Sequence, residues 1–132
     1  MNIFEDVKIL NLPVGEYAVV GGGVLAAHGL REYQDVDLIV TKNLYEYLHA
    51  TGWAIAEDKE NVIRKGKYEA DSNFHWKEYR PDIDKLIKEA DIINGIPFIK
   101  LQELLIFKKN LARNKDLEDI KLIEKYLIHS HF

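Results

Sequence analysis

A chain of 132 residues, 47% hydrophobic and 30% charged, has the size and make-up of one folded domain and excludes a disordered chain. Its 18 basic and 22 acidic residues sum to −4, which excludes the basic field of a general nucleic-acid coat but leaves room for a local basic patch. Cysteine is absent, and with it disulfides, thiolate nucleophiles and cysteine-bound zinc.

Glu5 and Asp6 interrupt the first residues, so no signal-peptide pattern is visible. The run Tyr17 to Leu30 is too short and too glycine-rich to span a bilayer. The expectation is a cytoplasmic domain over residues 1–132 with no membrane segment. Tyr17 to Val20 reads as a strand stopped by Gly21-Gly22-Gly23, followed by a short helix from Val24 to His28 closed by Gly29. Asp35 to Val40 reads as a second strand. Thr41 or Asn43 caps a helix through His49, ended by Gly52. Trp53–Glu57, Asn61–Arg64 and Lys67–Phe74 read as further strands. Pro81 suits the first turn of a helix to about Ala90. Asn94-Gly95 joins Asp91–Ile93 to Ile96–Ile99 as a hairpin, and Pro97 marks that last strand as an edge. Leu101, Leu104, Leu105, Lys108 and Leu111, then Leu117, Ile120, Ile123 and Leu127, repeat at helical spacing. Strands mixed with helices and then a helical tail give an α/β (α+β) class: a mixed, largely antiparallel sheet flanked by helices, with two C-terminal helices.

The chemistry concentrates in the first third. Glycine lets backbone approach a ligand closely, and free N–H groups at a helix start attract anions, so the triplet is either a phosphate cradle or a tight turn with nothing bound. Asp35 and Asp37, two apart in a strand, share one face. They are either a hard-oxygen pair for Mg²⁺ or a solvated strand end. Gly21-x-Gly23-x-x-Ala26 also matches a dinucleotide fingerprint, but the acid of that motif closes its strand, whereas Asp35 and Asp37 open theirs. The intervening helix of about two turns is also short for a parallel crossover and lets the second strand return antiparallel beside the glycines. Asp116 can cap the last helix, while Lys109, Arg113 and Lys115 form a basic corner. Trp53, Phe74 and Trp76 are core or a base-stacking wall. His28 packs within its helix, and His49, His75, His129 and His131 lack metal-ligand spacing, the last two lying at a fraying end.

Gly22-Gly23, His28-Gly29-x-Arg31 and Asp35-Val36-Asp37-Leu38-Ile39-Val40 resemble the signature of minimal nucleotidyltransferases of the DNA polymerase β superfamily. The likeness is to the small group that includes abortive-infection toxins and the nucleotidyltransferase half of toxin–antitoxin pairs. Ile96-Pro97-Phe98-Ile99 before a helix with Lys108 and Lys109, then Arg113-x-Lys115-Asp116-x-x-Asp119-Ile120, extends it. The resemblance implies that Gly22 and Gly23, with Arg31 and Lys115, hold a nucleoside triphosphate. It implies that Asp35 and Asp37 hold Mg²⁺ or Mn²⁺. Many members carry Ser where Gly23 stands. A third carboxylate would complete the site and activate the acceptor hydroxyl; Glu69 and Asp71 share a strand face, with Asp71 favoured. The expected activity is metal-dependent transfer of a nucleoside monophosphate to an acceptor (a protein hydroxyl, a tRNA end or a small molecule) with release of pyrophosphate. The alternative is a non-catalytic, nucleotide-binding or antitoxin-like partner of a helical toxin.

Overall fold

The computed structural model describes residues 2–76 and 78–129, so His131 lies outside the described residues. Helix α1 (Ile3–Lys8) starts at Asn2, whose side chain accepts the Glu5 N–H at 2.9 Å. That Asn-x-x-Glu capping pattern was the sequence signal for a helix the expectations above omit. Strand β1 (Tyr17–Val20), helix α2 (Gly22–Ala27) and strand β2 (Val36–Val40) follow, then α3 (Lys42–Ala50), capped by Thr41. Strands β3 (Ala54–Ile55), β4 (Val62–Lys65) and β5 (Tyr68–Asp71) precede α4 (Ile83–Lys88), β6 (Asp91–Ile93) and β7 (Ile96–Phe98). The chain ends on α5 (Leu101–Leu111) and α6 (Asn114–His129), packed along each other.

The seven strands form one mixed sheet in the order β3-β4-β5-β2-β1-β7-β6. β1–β2, β3–β4, β4–β5 and β6–β7 are antiparallel, and β1–β7 and β2–β5 are parallel. The sheet is therefore mixed and largely antiparallel, with helices against it. Its centre is β2, where Val36, Leu38, Ile39 and Val40 are at most 1% exposed. A near-continuous apolar run suits a strand covered on both faces. α3 and α4 pack on β2, while α1 packs on α2, β2 and β7. No described helix is long and apolar enough to cross a membrane.

The structure departs from the sequence reading in several places: α2 begins at Gly22 rather than Val24, β3 is only Ala54–Ile55, and three other departures have local reasons. β5 stops at Asp71 because the Asp71 carboxylate takes the N–H groups of Asn73 and Phe74 and turns the chain. Asp82, not Pro81, stands at the start of α4, accepting the Lys85 N–H. Pro97 lies on β7, inside the sheet rather than at its edge. In a two-residue hairpin the Ile92–Pro97 pair is the non-bonded one, so the proline nitrogen faces β1. There the ladder is confined to the Val19–Phe98 pair and the Ile99 N–H donated to Val19 at 3.0 Å.

Candidate active site

The site grows from the turn after β1. Gly21 has φ +68°, a conformation L side chains rarely adopt, and a Cβ there would sit 2.9 Å from Asp37 Oδ2. Both facts demand glycine. The antiparallel register sets Val20 opposite Asp37, so the carboxylate lies against the turn. Asp35, just before β2, is exposed.

The Asp37 side chain is partly buried, and its carboxylate forms no hydrogen bond or ion pair among the described residues. Burial, then the negative charges of Glu69 and Asp35, push its carboxyl up to about 6, against weaker pulls from Lys59 and Lys108. Glu69 is its direct neighbour across the parallel β2–β5 pair. Lys59 holds Glu69 Oε1 at 2.8 Å, and Arg64 holds Oε2 through Nε at 2.8 Å and Nη2 at 2.6 Å. Burial pushes Glu69 up, but these cations together leave it below its ordinary value. Asp71 stands two residues further along β5, in register with Ile39. Its Oδ1 receives the N–H groups of Asn73 at 2.8 Å and Phe74 at 3.0 Å, and burial still raises its carboxyl.

These groups open onto a cleft of about 610 Å³. Gly21, Asp35, Asp37, Glu69 and Asp71 line it, as do the cations Lys59, Arg113 and Lys115. Phe74, Phe107 and Leu111 add an apolar wall, the two rings lying 4.3 Å apart at 33°. Trp76 also lines the cleft, whereas Trp53 is 4% exposed and belongs to the core, against the ring of Tyr68.

Asp35, Asp37, Asp71 and Lys115 thus meet in one cleft, while Gly22, Gly23 and Arg31 do not line it. A Cβ on Gly23 would meet Val19 Cγ1 at 2.8 Å and Ile3 Cδ1 at 2.9 Å, so its missing side chain serves packing against β1 and α1. A Cβ on Gly22 would lie 3.2 Å from Arg31 Nη2. The Arg31 guanidinium runs over Gly22 to Asp119, with Nε at 2.7 Å and Nη2 at 3.1 Å from its carboxylate oxygens. Asp119 also receives Lys108 Nζ at 2.9 Å, and Lys108 reaches Asp116 at 3.5 Å. Asp116 accepts from Arg113, backbone and side chain alike. Asp116 is therefore the third residue of α6 reaching back to the helix start, where the sequence suggested the cap itself. The signal for this buried network was Lys108 on the apolar stripe of α5, a place where lysine needs an acidic partner.

No group of three His, Asp or Glu side chains among the described residues is arranged to hold a metal ion. Mg²⁺ does not require one, since it commonly binds one or two carboxylates together with substrate phosphates and water. Asp35 with the unpartnered Asp37 fits that donor set, and the like charges around Asp37 are what a cation would relieve.

No protein-family model matches the chain, and no curated protein matches it. Among solved structures it is similar to ANT(2'')-Ia in complex with adenylyl-2''-tobramycin. The TM-score is 0.52 at 17% identity, over 96% of this chain and 86% of that one. The fold is nucleotidyltransferase-like. That likeness covers the sheet and the helices around the cleft alike, since nearly the whole chain is aligned.

Proposed function

We propose that this chain is a nucleotidyltransferase that joins a nucleoside monophosphate from a nucleoside triphosphate to an acceptor hydroxyl and releases pyrophosphate. The observation that carries the reading is Asp37: a carboxylate without a partner, held beside Gly21 in a cleft that also supplies cations and an apolar wall. The similar ANT(2'')-Ia structure, with its adenylyl group on tobramycin, supports the same reaction class. Asp35 and Asp37 would hold Mg²⁺ or Mn²⁺, which when bound neutralises charge on the reacting phosphates. The base would rest on Phe74, Phe107 and Leu111, and Arg113 and Lys115 would attract the triphosphate. Asp71 would take the acceptor proton: two N–H groups fix one of its oxygens, and burial raises its basicity toward the working range of a general base. Glu69, the nearer neighbour of Asp37, is already engaged by Lys59 and Arg64.

Metal-dependent nucleotide binding and label transfer from α-labelled triphosphate test the reading. Asp35→Asn/Asp37→Asn is expected to lose both. Asp71→Asn is expected to keep nucleotide binding and lose about 10²- to 10⁴-fold in transfer. The second reading, a non-catalytic nucleotide-binding or antitoxin-like partner, is favoured by the engagement of Glu69 with cations. Wild type that binds triphosphate with metal but labels nothing decides for it.

A further inference from the structure

We infer that the acceptor is a small polyhydroxylated molecule, sugar-like in size and chemistry, which enters through a side compartment opening off the main cleft at Asp71. The inference rests on the nucleotidyl-transfer reading above. The compartment holds about 360 Å³, near the lower end for small-molecule sites. It shares Glu60, Asp71, His75 and Trp76 with the main cleft. Asn61, Asn73 and Arg80 line it alone, and neither Asp35, Asp37 nor Gly21 reaches it. A molecule lodged there therefore meets the nucleotide cleft at Asp71.

The lining chemistry sets the class. Asn61 and Asn73 each offer amide donors and acceptors, and Glu60 and Asp71 accept from hydroxyls. Trp76, 43% exposed, adds an apolar ring beside them. Planar polar groups around an aromatic face complement a ring whose edges carry hydroxyls and whose faces carry C–H groups. Among the described residues, two carboxylates stand against the single guanidinium of Arg80, with no basic track for a phosphate backbone. A tRNA end is thereby disfavoured.

The backbone points to the same corner. Asn61 and Phe74 both adopt left-handed φ, +60° and +52°. For a bulky residue such as Phe74 this is a strained state, of the kind that persists where surrounding structure enforces it and that clusters at functional sites. Here the enforcement is the pair of N–H groups donated to Asp71 Oδ1, together with the Phe74 ring packed on Phe107 and Tyr79. That leaves Asp71 Oδ2 for the acceptor. In the transfer, the acceptor O–H gives its proton to Asp71 and its oxygen bonds to the α-phosphorus. The bond from that phosphorus to the β-bridging oxygen breaks, pyrophosphate leaves with the electron pair, and the Asp71 proton passes to solvent.

The test incubates the full chain with Mg²⁺, α-labelled ATP or GTP, and one acceptor at a time: glucose, glucosamine, myo-inositol, sucrose, bulk tRNA or casein. Label on at least one sugar or polyol is expected. Asn73→Ala and Arg80→Ala are each expected to raise the acceptor KM about tenfold, the loss of one good hydrogen bond, while the nucleotide KM stays within about twofold. Label on tRNA or casein only overturns the inference and leaves the transferase reading standing. Metal-dependent nucleotide binding by wild type with no acceptor labelled at all decides for the non-catalytic reading and also overturns the inference. Acceptor and nucleotide KM rising together in both variants also overturns it. No metal-dependent nucleotide binding at all overturns the transferase reading, and this inference with it.

Discussion

Asp35 and Asp37 at the cleft and Asp116 and Asp119 at the seam between α2, α5 and α6 are chemically the same residues in opposite circumstances. At the seam, Asp116 and Asp119 have side chains only 1% and 8% exposed, yet Lys108, Arg113 and Arg31 surround them. Burial pushes both carboxyls up, and the cations outweigh it, so both end below the ordinary value. At the cleft, Asp37 has no such partner and ends well above it. Spacing in the sequence does not separate the two cases; the reach of cations in the fold does. The seam carboxylates belong to the scaffold, whereas the cleft carboxylate is held in a state that a bound cation would relieve.

The largest expected effect comes from removing the cation at the centre of the seam. Lys108 is 6% exposed and serves both Asp116 and Asp119. Lys108→Met leaves two buried carboxylates short of charge, which costs about 3–5 kcal/mol by the usual scale for half a buried ion pair. Urea unfolding at pH 7 measures it. The stabilisation from these lowered carboxyls is present above their unfolded value near 3.8 and is lost as pH falls through the lower folded values. The gap between wild type and variant should therefore shrink only in strong acid. A loss below about 1 kcal/mol at pH 7 would erase the contrast between seam and cleft.

The opposite sign is expected at the cleft. With a folded value of about 6 against 3.8 unfolded, metal-free Asp37 makes the native state bind more protons between those pH values. Stability therefore falls by about 2 kcal/mol as pH rises from about 4 to 6, and by about 3 kcal/mol over the whole titration. Asp37→Asn removes that penalty, so the variant should be more stable than wild type at pH 7 by up to about 3 kcal/mol, and within about 0.5 kcal/mol of it near pH 4. Mg²⁺ with ATP should raise the melting temperature of wild type and not of the variant. A variant less stable than wild type at pH 7 without metal would place Asp37 with the seam acids.

The elements legible in the sequence were those with local signals. β1 is an apolar run stopped by glycine, α3 begins at a capping threonine, and the Asn94-Gly95 turn shows the positive φ angles of a tight hairpin. The antiparallel return of β2 followed from the short α2. What was not legible depends on register and on distant pairs. The register of β2 against β5 puts Glu69, not Asp71, directly beside Asp37, and one strand cannot announce that. Arg31 meets Asp119 across 88 residues of chain, so a residue in the recognisable first block turns out to brace α6. Likewise the glycine triplet divides among three tasks: Gly21 admits Asp37, Gly22 admits Arg31 and Gly23 admits Ile3 and Val19.

That division supplies a third, smaller effect. Gly23→Ala drives a methyl group against Val19 Cγ1 and Ile3 Cδ1, at 2.8 and 2.9 Å before relaxation. Overpacking of this kind costs about 1–3 kcal/mol, offset by the roughly 1 kcal/mol that alanine contributes over glycine inside a helix. The net loss should appear in the melting temperature, with triphosphate affinity within about twofold of wild type at saturating metal. A variant that folds as wild type but binds triphosphate at least tenfold more weakly would bring Gly23 into the nucleotide site.

The smallest effect on stability is expected at Gly22, where the outcome also decides how far the cleft extends. A methyl there meets Arg31 Nη2 and Nη1 at 3.2 and 3.3 Å, the far end of a long side chain that is 37% exposed and can shift by tenths of an ångström. Helix propensity favours alanine by about 1 kcal/mol, and a weakened, partly exposed ion pair to Asp119 returns a similar amount. Gly22→Ala should thus sit within about 0.5 kcal/mol of wild type. Triphosphate affinity should also hold within about twofold if the phosphates meet only Gly21, the triplet residue that lines the cleft. Should affinity fall tenfold instead, Arg31→Ala in the same chain separates two causes. Recovery in the double variant would mean that a displaced guanidinium had disturbed the turn from the seam side. Persistence of the loss would mean that the triphosphate approaches the Gly22 backbone itself, and the boundary between scaffold and site would then run through α2 rather than before it.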